Sequence, residues 1–232
     1  MQIAILPARG GSKRIPQKNY RELNGLPTII RTLEILKEAN IFDRIIVSTD
    51  HPEVERLAKS VGVEVPFRRP EKLGDDHATT KQVIEHAIEK LGLKDPSLAI
   101  CCIYPTSVLL KPETLKSSLE LFRKNLSSFV VSVKEFEHPI SRAMTVDQST
   151  LRPLDLSMLS CRTQDCKIFV HDAGQFYWGS LASWLSDTGI LESEPVPFKI
   201  NSAEGVDVDT MDDWLLLNAL IQYREGKNES TK

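Results

Sequence analysis

Four cationic side chains are gathered in a short glycine-containing segment near the start of the chain, residues 8–19. They are Arg9, Lys13, Arg14 and Lys18. Gly10 and Gly11 have no Cβ atom, so backbone N–H groups beside them can approach an anion closely. The segment matches neither the Walker loop nor the dinucleotide-binding glycine pattern. Its composition still favours the binding of a triphosphate, and the alternative is a basic loop that only faces solvent.

An acidic pair lies near the other end of the chain, in the segment 205–210. Asp207 and Asp209 are two residues apart, so on an extended backbone both carboxylates face the same side. Like charges held together favour a cation between them, and oxygen ligands of this kind suit Mg²⁺, with Mn²⁺ as the alternative. The competing interpretation is a pair of surface acids that begin the last helix, with Asp209 or Thr210 as its N-cap.

Two further polar segments contain residues that could bind a ligand. Residues 67–80 include Arg69, Asp76 and threonines able to cap a helix, although by themselves they indicate only a loop before a helix. Residues 171–178 begin with His171 and Asp172, which could perform acid–base chemistry. A packed, hydrogen-bonded polar corner is the more common role for such neighbours. No serine or cysteine nucleophile occurs in a recognisable elbow motif.

The four cysteines do not form a recognisable metal-binding pattern. Cys101 and Cys102 are adjacent in an apolar run, where strand alternation would point them to opposite faces of a sheet. Cys161 and Cys166 form a lone C-x4-C pair, without the second pair that a structural zinc site needs. We therefore expect reduced thiols in a cytoplasmic protein.

The bulk composition excludes several classes of protein. The chain has 232 residues, 41% of them hydrophobic and 26% charged, which is typical of a globular domain with a full core. Its net charge of -3 gives no global positive field for nucleic acid or an anionic membrane. No apolar run approaches the roughly 20 residues that a membrane span needs, and the chain begins directly with a strand rather than a secretion signal. We therefore expect a cytoplasmic protein that binds neither nucleic acid nor membrane.

Apolar runs with strand character alternate with segments of helical periodicity. Strands are predicted near residues 3–6, 44–48, 63–65, 98–104, 129–133 and 175–178, and helices around residues 29–36, 54–61, 84–91, 112–122 and 214–220. This pattern predicts an α/β fold, a Rossmann-like three-layer sandwich with a mostly parallel sheet covered by helices on both faces. Ligands of such sheets bind beyond the carboxyl ends of the strands, where the polar segments are found.

The alternation of strands and helices is interrupted over residues 134–172, which lack helical periodicity. Such a long irregular stretch is unusual inside a compact core, so we expect a projecting, hairpin-containing arm. Its apolar residues would need a partner surface, and a homodimer built through the arm would provide one. The predicted organisation is one domain over residues 1–224, with the arm inserted, followed by a polar tail at 225–232.

In order and spacing, these segments resemble the CMP-sugar-acid synthetase (acylneuraminate cytidylyltransferase) family. The pattern A-R-x-G-S-K-x-x-x-x-K-N is similar to residues 8–19, and S-T-D to residues 48–50. R-P-x-x-L-x-x-D matches Arg69 through Asp76, P-T-S matches residues 105–107, and D-x-D matches the acidic pair. The resemblance covers residues 2 to about 220 and implies the family's α/β fold and its dimeric assembly.

Several details are similar to the branch of the family that activates pseudaminic acid. Tyr104 stands before P-T-S, where sialic-acid members have glutamine, and Leu110 stands where they have arginine. Residues 162–165 and 171–178 also resemble that branch. Cys161 is a departure, because threonine is common at that position of the branch.

The resemblance implies transfer of CMP from CTP to the anomeric hydroxyl of a nonulosonic acid, with release of pyrophosphate. It assigns catalysis to Arg9, Lys18, Asp207 and Asp209, with the two acids as metal ligands. The nucleotide would be bound by Ala8, Arg9, Gly10, Gly11, Ser12, Lys13, Lys18, Asn19, Arg69 and Asp76. The sugar acid would be bound by Tyr104, Thr106, Ser107, Arg162, Gln164, His171, Asp172 and Gln175.

Three other functions remain open at this point. A synthetase for N-acetylneuraminic or legionaminic acid would use the same mechanism on a different sugar. A glycosyltransferase also uses a D-x-D pair, but a nucleotide-sugar needs fewer cations than the segment at residues 8–19 supplies. A nucleotide sensor without catalysis is disfavoured, since the acidic pair is intact.

Overall fold

The computed structural model of the chain describes residues 1–75 and 78–229, and the prediction for Asp76 lies outside these ranges. The strands are β1 (Gln2–Pro7), β2 (Glu22–Leu23), β3 (Leu26–Pro27), β4 (Arg44–Ser48), β5 (Ala99–Ile103), β6 (Val130–Glu135), β7 (Met144–Asp147), β8 (Thr150–Pro153), β9 (Val170–Ser180) and β10 (Val196–Lys199). The α-helices are α1 (Thr28–Ala39), α2 (Pro52–Ser60), α3 (Thr80–Leu91), α4 (Pro112–Arg123), α5 (Leu181–Trp184) and α6 (Met211–Glu229).

A six-stranded sheet in the order β10-β6-β9-β5-β1-β4 forms the centre of the molecule. β1 pairs in parallel with β4 and with β5, and β6 pairs in parallel with β10. β9 is antiparallel to both of its neighbours, β5 and β6. The predicted α/β fold with a mostly parallel sheet is confirmed. The carboxyl ends of β1, β4 and β5 therefore meet the beginning of β9 at one edge of the sheet.

Helices cover both faces of this sheet, which gives the predicted three layers. One buried cluster joins α1, α2 and α4 to one face, and a second joins α3 and α5 to the other. The two central cysteines follow the strand alternation, since Cys101 belongs to the first cluster and Cys102 to the second. Both thiols are fully buried, and burial raises their pKa values well above the ordinary range. They are core side chains, as predicted.

A third, smaller buried cluster holds the loops that follow the sheet. It contains Ile15 from the segment after β1, Val206 and Val208 from the segment before α6, and Trp214 and Leu217 from α6 itself. These side chains are almost completely buried. The cluster therefore fixes the basic segment and the acidic segment against each other, although they are far apart in the sequence.

Two predictions about individual elements are wrong. Residues 63–65 form no regular strand, because Glu64 makes only an isolated bridge to Ile46 of β4. The last helix continues to Glu229, so residues 225–229 of the predicted polar tail are helical, and residues 230–232 lie outside the described ranges. Glu225 is held there by Arg31 Nη1, at 2.5 Å, and by the side-chain amide of Asn24. Long-range partners thus stabilise helical turns that local composition disfavours.

The interruption of the pattern corresponds to an excursion between β6 and β9, at residues 136–169, somewhat shorter than predicted. It contains the hairpin of β7 and β8 and three short 3₁₀ turns. We call these residues the arm. Large apolar side chains are exposed along it, among them Val146, Leu154 and Leu156.

Candidate functional site

The acidic pair lies on an extended segment that is fixed by its apolar neighbours. Val206 and Val208 are buried, whereas Asp207 and Asp209 point away from the core and line the same cavity. This alternation is the one predicted for an extended backbone. The segment passes close to Gly174, which has φ 60°, and a Cβ atom there would lie 3.1 Å from the Asp207 carboxylate. A glycine at position 174 therefore leaves room for this carboxylate.

The start of α6 is capped by other residues than the acidic pair. Thr210 Oγ1 accepts from the backbone N–H of Asp213 at 3.2 Å, and Asp213 Oδ2 accepts from the backbone N–H of Thr210 at 2.7 Å. These reciprocal bonds form a capping box. Of the two alternative caps proposed from the sequence, Thr210 is the one observed. The Asp209 carboxylate is thereby left to face the cavity.

Lys18 lies beside the acidic pair and lines the same cavity. Its Nζ donates to the backbone oxygen of Val208 at 2.7 Å and lies 3.8 Å from Asp209 Oδ1. Burial lowers the pKa of Lys18, while the charges of Asp209 and Asp207 oppose that shift. Loss of solvent raises the pKa of Asp207, the charge of Asp209 acts in the same direction, and Lys18 opposes it. The site therefore holds two like charges close together and needs a cation beside them.

The two glycines of the basic segment have different surroundings. The backbone N–H of Gly10 donates to Asp50 Oδ1 at 2.9 Å, and a Cβ atom there would lie 2.6 Å from Cγ of His51. A Cβ atom on Gly11 would meet nothing within 4 Å. Gly10 is thus required for packing, and its N–H is already used. Of the two glycines, Gly11 is the one whose backbone is open to an anion.

The other residues predicted around the basic segment differ in accessibility. Ala8 is buried, and its N–H donates to Ser48 at 2.9 Å, so it offers only a backbone anchor. Ser12 is half-buried and Lys13 is exposed. Asn19 is buried, and its side-chain amide donates to the backbone oxygen of Arg9 at 2.8 Å. Asn19 therefore fixes the path of the segment and also lines the cavity.

Arg69 is an almost fully buried cation. Its side chain is 2% exposed, its Nη2 lies 3.5 Å from Asp50 Oδ1, and its Nε has no hydrogen-bond partner among the residues that the structure describes. Its backbone N–H donates to the oxygen of Thr49 at 2.8 Å, which places it beside the end of β4. Burial lowers the pKa of Arg69, and Asp50 opposes that shift. A buried guanidinium with an unused donor is suited to binding an oxygen-rich ligand.

The cavity has two adjoining compartments. The acid compartment, about 280 Å³, is lined by Asp172, Asp207 and Asp209 together with Thr106 and Tyr177. The arginine compartment, about 210 Å³, is lined by Arg9 and Arg69 with Leu73 and Thr80. Lys18, Asn19 and Tyr104 line both. The structure thus brings together predicted nucleotide, metal and sugar ligands from four separate parts of the chain.

Two predicted sugar ligands face the interior instead of the cavity. Gln175 is 1% exposed, and its amide donates to the backbone oxygens of Ala173 at 2.8 Å and Val206 at 3.2 Å. Ser107 is also buried and donates through Oγ to the backbone oxygen of Gln175 at 3.0 Å. These bonds correct the prediction for both residues. Gln175 ties β9 to the acidic segment through its hydrogen bond to Val206.

Tyr104, Thr106 and Asp172 line the acid compartment as predicted, whereas three other predicted sugar ligands line neither compartment: Arg162, Gln164 and His171. His171 packs edge-on against Phe136 with ring centroids 4.8 Å apart, and its Nδ1 lies 2.8 Å from the backbone oxygen of Asp172. Arg162 and Gln164 are exposed residues of the arm, and neither lines either compartment. From these positions, Arg162 and Gln164 do not contact a ligand bound in the cavity of their own chain.

The cavity residues missed by the sequence analysis include Tyr177 and Thr80. The Tyr177 hydroxyl donates to Asp172 Oδ2, and the Thr80 hydroxyl lies 2.5 Å from that of Tyr104. Burial raises the pKa values of both tyrosines. Tyr177 lies within the apolar run of β9, where a core position was the natural expectation. The one sequence feature that could have indicated a cavity position for Tyr177 is its closeness along β9 to the polar residue Asp172.

The donor set fits a divalent ion that is bound jointly with phosphates. Within residues 1–75 and 78–229, no group of three or more His, Cys, Asp or Glu side chains is placed to hold a metal. Asp207 and Asp209 provide two carboxylates that line the same compartment. Mg²⁺ is commonly bound by one or two carboxylates plus substrate phosphates. The pair therefore matches the predicted metal site only if a substrate completes the coordination.

An α/β sheet that gathers cations and carboxylates at its carboxyl edge is the architecture of nucleotide-binding enzymes. Residues 3–152 match the family model described as cytidylyltransferase. The chain belongs to the cytidylyltransferase family, and it is an enzyme of that kind.

No helix in the described part of the chain is long and apolar enough to cross a membrane.

Relatives of known function are similar over nearly the whole chain. A pseudaminic acid cytidylyltransferase of Campylobacter jejuni is 36% identical over 91% of this chain and 92% of its own length. A CMP-N,N'-diacetyllegionaminic acid synthase of Legionella pneumophila is 28% identical over 96% and 97%, respectively. The solved structure of a CMP:2-keto-3-deoxy-manno-octonic acid synthetase in complex with CTP superposes with a TM-score of 0.69 at 16% identity, covering 96% of this chain and 99% of that one. That last similarity supports the fold.

Proposed function

We propose that this enzyme transfers CMP from CTP to the anomeric hydroxyl of pseudaminic acid and releases pyrophosphate. The observation that carries the proposal is the two-compartment cavity, in which Lys18 lines both the arginine compartment and the compartment that holds the acidic pair. The similarity to the Campylobacter jejuni pseudaminic acid cytidylyltransferase supports the choice of sugar. In the reaction, the anomeric oxygen bonds to the α-phosphorus while the bond from that phosphorus to the β-phosphate breaks. The hydroxyl proton passes to solvent.

The arginine compartment is assigned to the nucleotide. Arg69 and Arg9 line it, and Asn19 connects the Arg9 backbone to the shared wall. Phosphoryl transfer depends on positioning and charge neutralisation more than on covalent chemistry by the protein. Lys18, which lines both compartments, is placed to hold the phosphate at the point of transfer. Gly11 and Lys13 would contact the outer phosphates.

The acidic pair is assigned to a divalent metal, Mg²⁺ or Mn²⁺. When bound, this ion would offset charge on the phosphates and lower the pKa of the attacking hydroxyl. Asp207 and Asp209 would hold it together with phosphate oxygens. Lys18 offsets part of the repulsion between the two carboxylates, because its ammonium lies 3.8 Å from Asp209 Oδ1 and its charge also acts on Asp207.

The acid compartment is assigned to the sugar acid. Tyr104, Thr106 and Asp172 line it and can hydrogen-bond to hydroxyl and acylamino groups. Tyr177 holds the Asp172 carboxylate through its hydroxyl. Lys18 is the cation that lines this compartment in the described part of the chain. A sugar carboxylate would therefore gain from a second cation, and Arg162 from the arm of a partner copy is the residue we assign to that role.

We place the reaction in the cytoplasm.

A pyrophosphate-release assay with CTP tests this function directly. Pseudaminic acid should give a higher specificity constant than N-acetylneuraminic or legionaminic acid, and turnover should require a divalent metal. A preference for another nonulosonic acid would reject the assigned sugar and keep the reaction class. Metal-independent turnover, or use of a UDP-sugar donor with no release of pyrophosphate, would reject the class itself.

A further inference from the structure

Arg14 makes a contact that the proposed function does not explain. Its Nη2 donates to Asp209 Oδ1 at 2.7 Å, and Lys18 Nζ lies 3.8 Å from the same oxygen. An oxygen assigned to a metal is thus approached by two side-chain cations. A cation already on this oxygen opposes the binding of a second one, because the two repel each other.

The two cations differ in how firmly they are held. Lys18 is 24% exposed and is fixed by its bond to the backbone oxygen of Val208. The side chain of Arg14 is 66% exposed, and that of Asp209 is 45% exposed. Exposed ion pairs contribute about 0.2–1 kcal/mol. Arg14 can therefore leave Asp209 at low cost, whereas Lys18 cannot.

The backbone beneath Arg14 cannot move far from the acidic segment. The next residue, Ile15, is completely buried and packs in the cluster that also contains Val206 and Val208. The backbone oxygen of Ile15 also accepts from the N–H of Lys18 at 3.2 Å. Only the long side chain of Arg14 is free to rotate. From this fixed point it can reach either Asp209 or an anion bound over the segment at residues 8–19.

We propose that Arg14 binds the triphosphate and that it exchanges Asp209 for a phosphate oxygen when metal and nucleotide enter together. The proposal rests on the assigned reaction with CTP. A guanidinium binds phosphate oxygens through paired donors. The exchange delivers one cation to the phosphates as it frees one carboxylate for the metal. Divalent ions alone should consequently bind weakly, and the nucleotide should raise their affinity.

Arg14→Gln tests the exchange on protein without substrates. Mn²⁺ binding, followed by electron paramagnetic resonance of the free ion, should become about 2- to 5-fold tighter, the change that corresponds to loss of an exposed ion pair. In the same variant the Kd for CTP with Mg²⁺, measured by calorimetry, should rise about 10-fold through loss of a charged hydrogen bond. The two affinities therefore move in opposite directions.

Arg14→Lys should show a smaller change in both affinities, because it keeps the charge and loses the paired donors. Arg56→Gln removes an exposed arginine–carboxylate pair of the same kind on α2, where Arg56 Nη2 lies 2.6 Å from Glu53. This control should leave both affinities unchanged. Unchanged Mn²⁺ affinity in Arg14→Gln, or weaker Mn²⁺ binding, would overturn the proposal. If the parent enzyme releases pyrophosphate from CTP and Arg14→Gln does not tighten Mn²⁺ binding, the role of Arg14 is rejected and the assigned reaction stands. If the parent enzyme is inactive with CTP and pseudaminic acid, the assigned reaction itself is rejected.

Discussion

The charges around Asp207 and Asp209 show how the site is organised for function at the cost of stability. Asp207 has a raised pKa because burial and the neighbouring Asp209 disfavour its ionised form. An ionised carboxylate with a raised pKa in the folded state destabilises the fold at neutral pH. Lys18 relieves only part of this repulsion. A pair of carboxylates that destabilises the folded state is therefore better explained by ligand binding than by a structural role.

Asp207→Asn and Asp209→Asn should separate activity from stability. Each change should lower kcat/KM by at least about 100-fold, since several kcal/mol of transition-state stabilisation depend on a bridging metal. The free energy of unfolding of Asp207→Asn at pH 7 should be equal to the parent value or higher, because a disfavoured negative charge is removed. Steady-state kinetics and urea denaturation measure the two quantities.

Asp212→Asn is a matched control on the exposed first turn of α6. It removes one carboxylate from the same region without changing the cavity lining, and it should retain parental kinetics. Near-parental rates in either acidic-pair variant at saturating Mg²⁺ would return Asp207 and Asp209 to the role of surface acids.

The segment at residues 8–19 is built by contacts with other elements more than by its own sequence. Asp50, which follows β4, accepts the N–H of Gly10, and Tyr20 stacks on His51 at 4.9 Å. Ile15 anchors the middle of the segment in the cluster below α6. The ends of neighbouring strands therefore shape the segment that faces the ligand. Adjacent glycines within it consequently serve different purposes.

Gly10→Ala and Gly11→Ala should separate packing from ligand binding. A Cβ atom at position 10 would overlap the His51 ring, whereas one at position 11 would enter open space. We expect Gly10→Ala to lower the free energy of unfolding by about 1–3 kcal/mol, as overpacking does. Gly11→Ala should leave stability within about 0.5 kcal/mol of the parent and raise the Kd for CTP, because its side chain would crowd the approach to the backbone.

Chemical denaturation and calorimetric CTP titration of the two variants provide the comparison. Equal loss of stability in both would contradict the assigned difference. Parental CTP affinity in Gly11→Ala would show that the phosphates do not approach the backbone at that position.

At the scale of the whole molecule, the arm exposes large apolar side chains to solvent. Val146 is 72% exposed, Leu154 65% and Leu156 75%. Several large apolar side chains exposed on one projecting segment favour a surface that a partner covers. We propose a homodimer in which each arm covers the other and brings Arg162 and Gln164 to the partner's acid compartment. Two-fold dimers are the commonest assembly.

Leu156→Glu should convert the dimer to a monomer, since a charge would have to be buried in the interface. Its specific activity should fall, and that of the parent should fall on dilution through the dissociation range. Leu215→Glu is the matched control, because Leu215 is a 62% exposed leucine on α6 rather than on the arm. Sedimentation velocity and activity assays test both. A fully active monomeric parent enzyme would exclude the shared site.

The sequence by itself determined the layer architecture, the position of the ligand edge and the common face of the acidic pair. Periodicity predicted α1, α2, α3 and α4 because one apolar face of each packs on the sheet. Alternation predicted the opposite burial of Cys101 and Cys102 and the shared orientation of Asp207 and Asp209. These features depend on local backbone geometry, which neighbouring residues specify.

Only the tertiary structure decided which polar residues of β9 face the cavity. β9 enters the sheet antiparallel after the arm, so its first residues, and not its last, lie at the ligand edge. Gln175 is turned inward because its partner, Val206, is far away in sequence, and Tyr177 is joined to Asp172 by the same arrangement. Strand direction, register and long-range hydrogen bonds are set by the free energy of the assembled fold. No local pattern in the sequence specifies them.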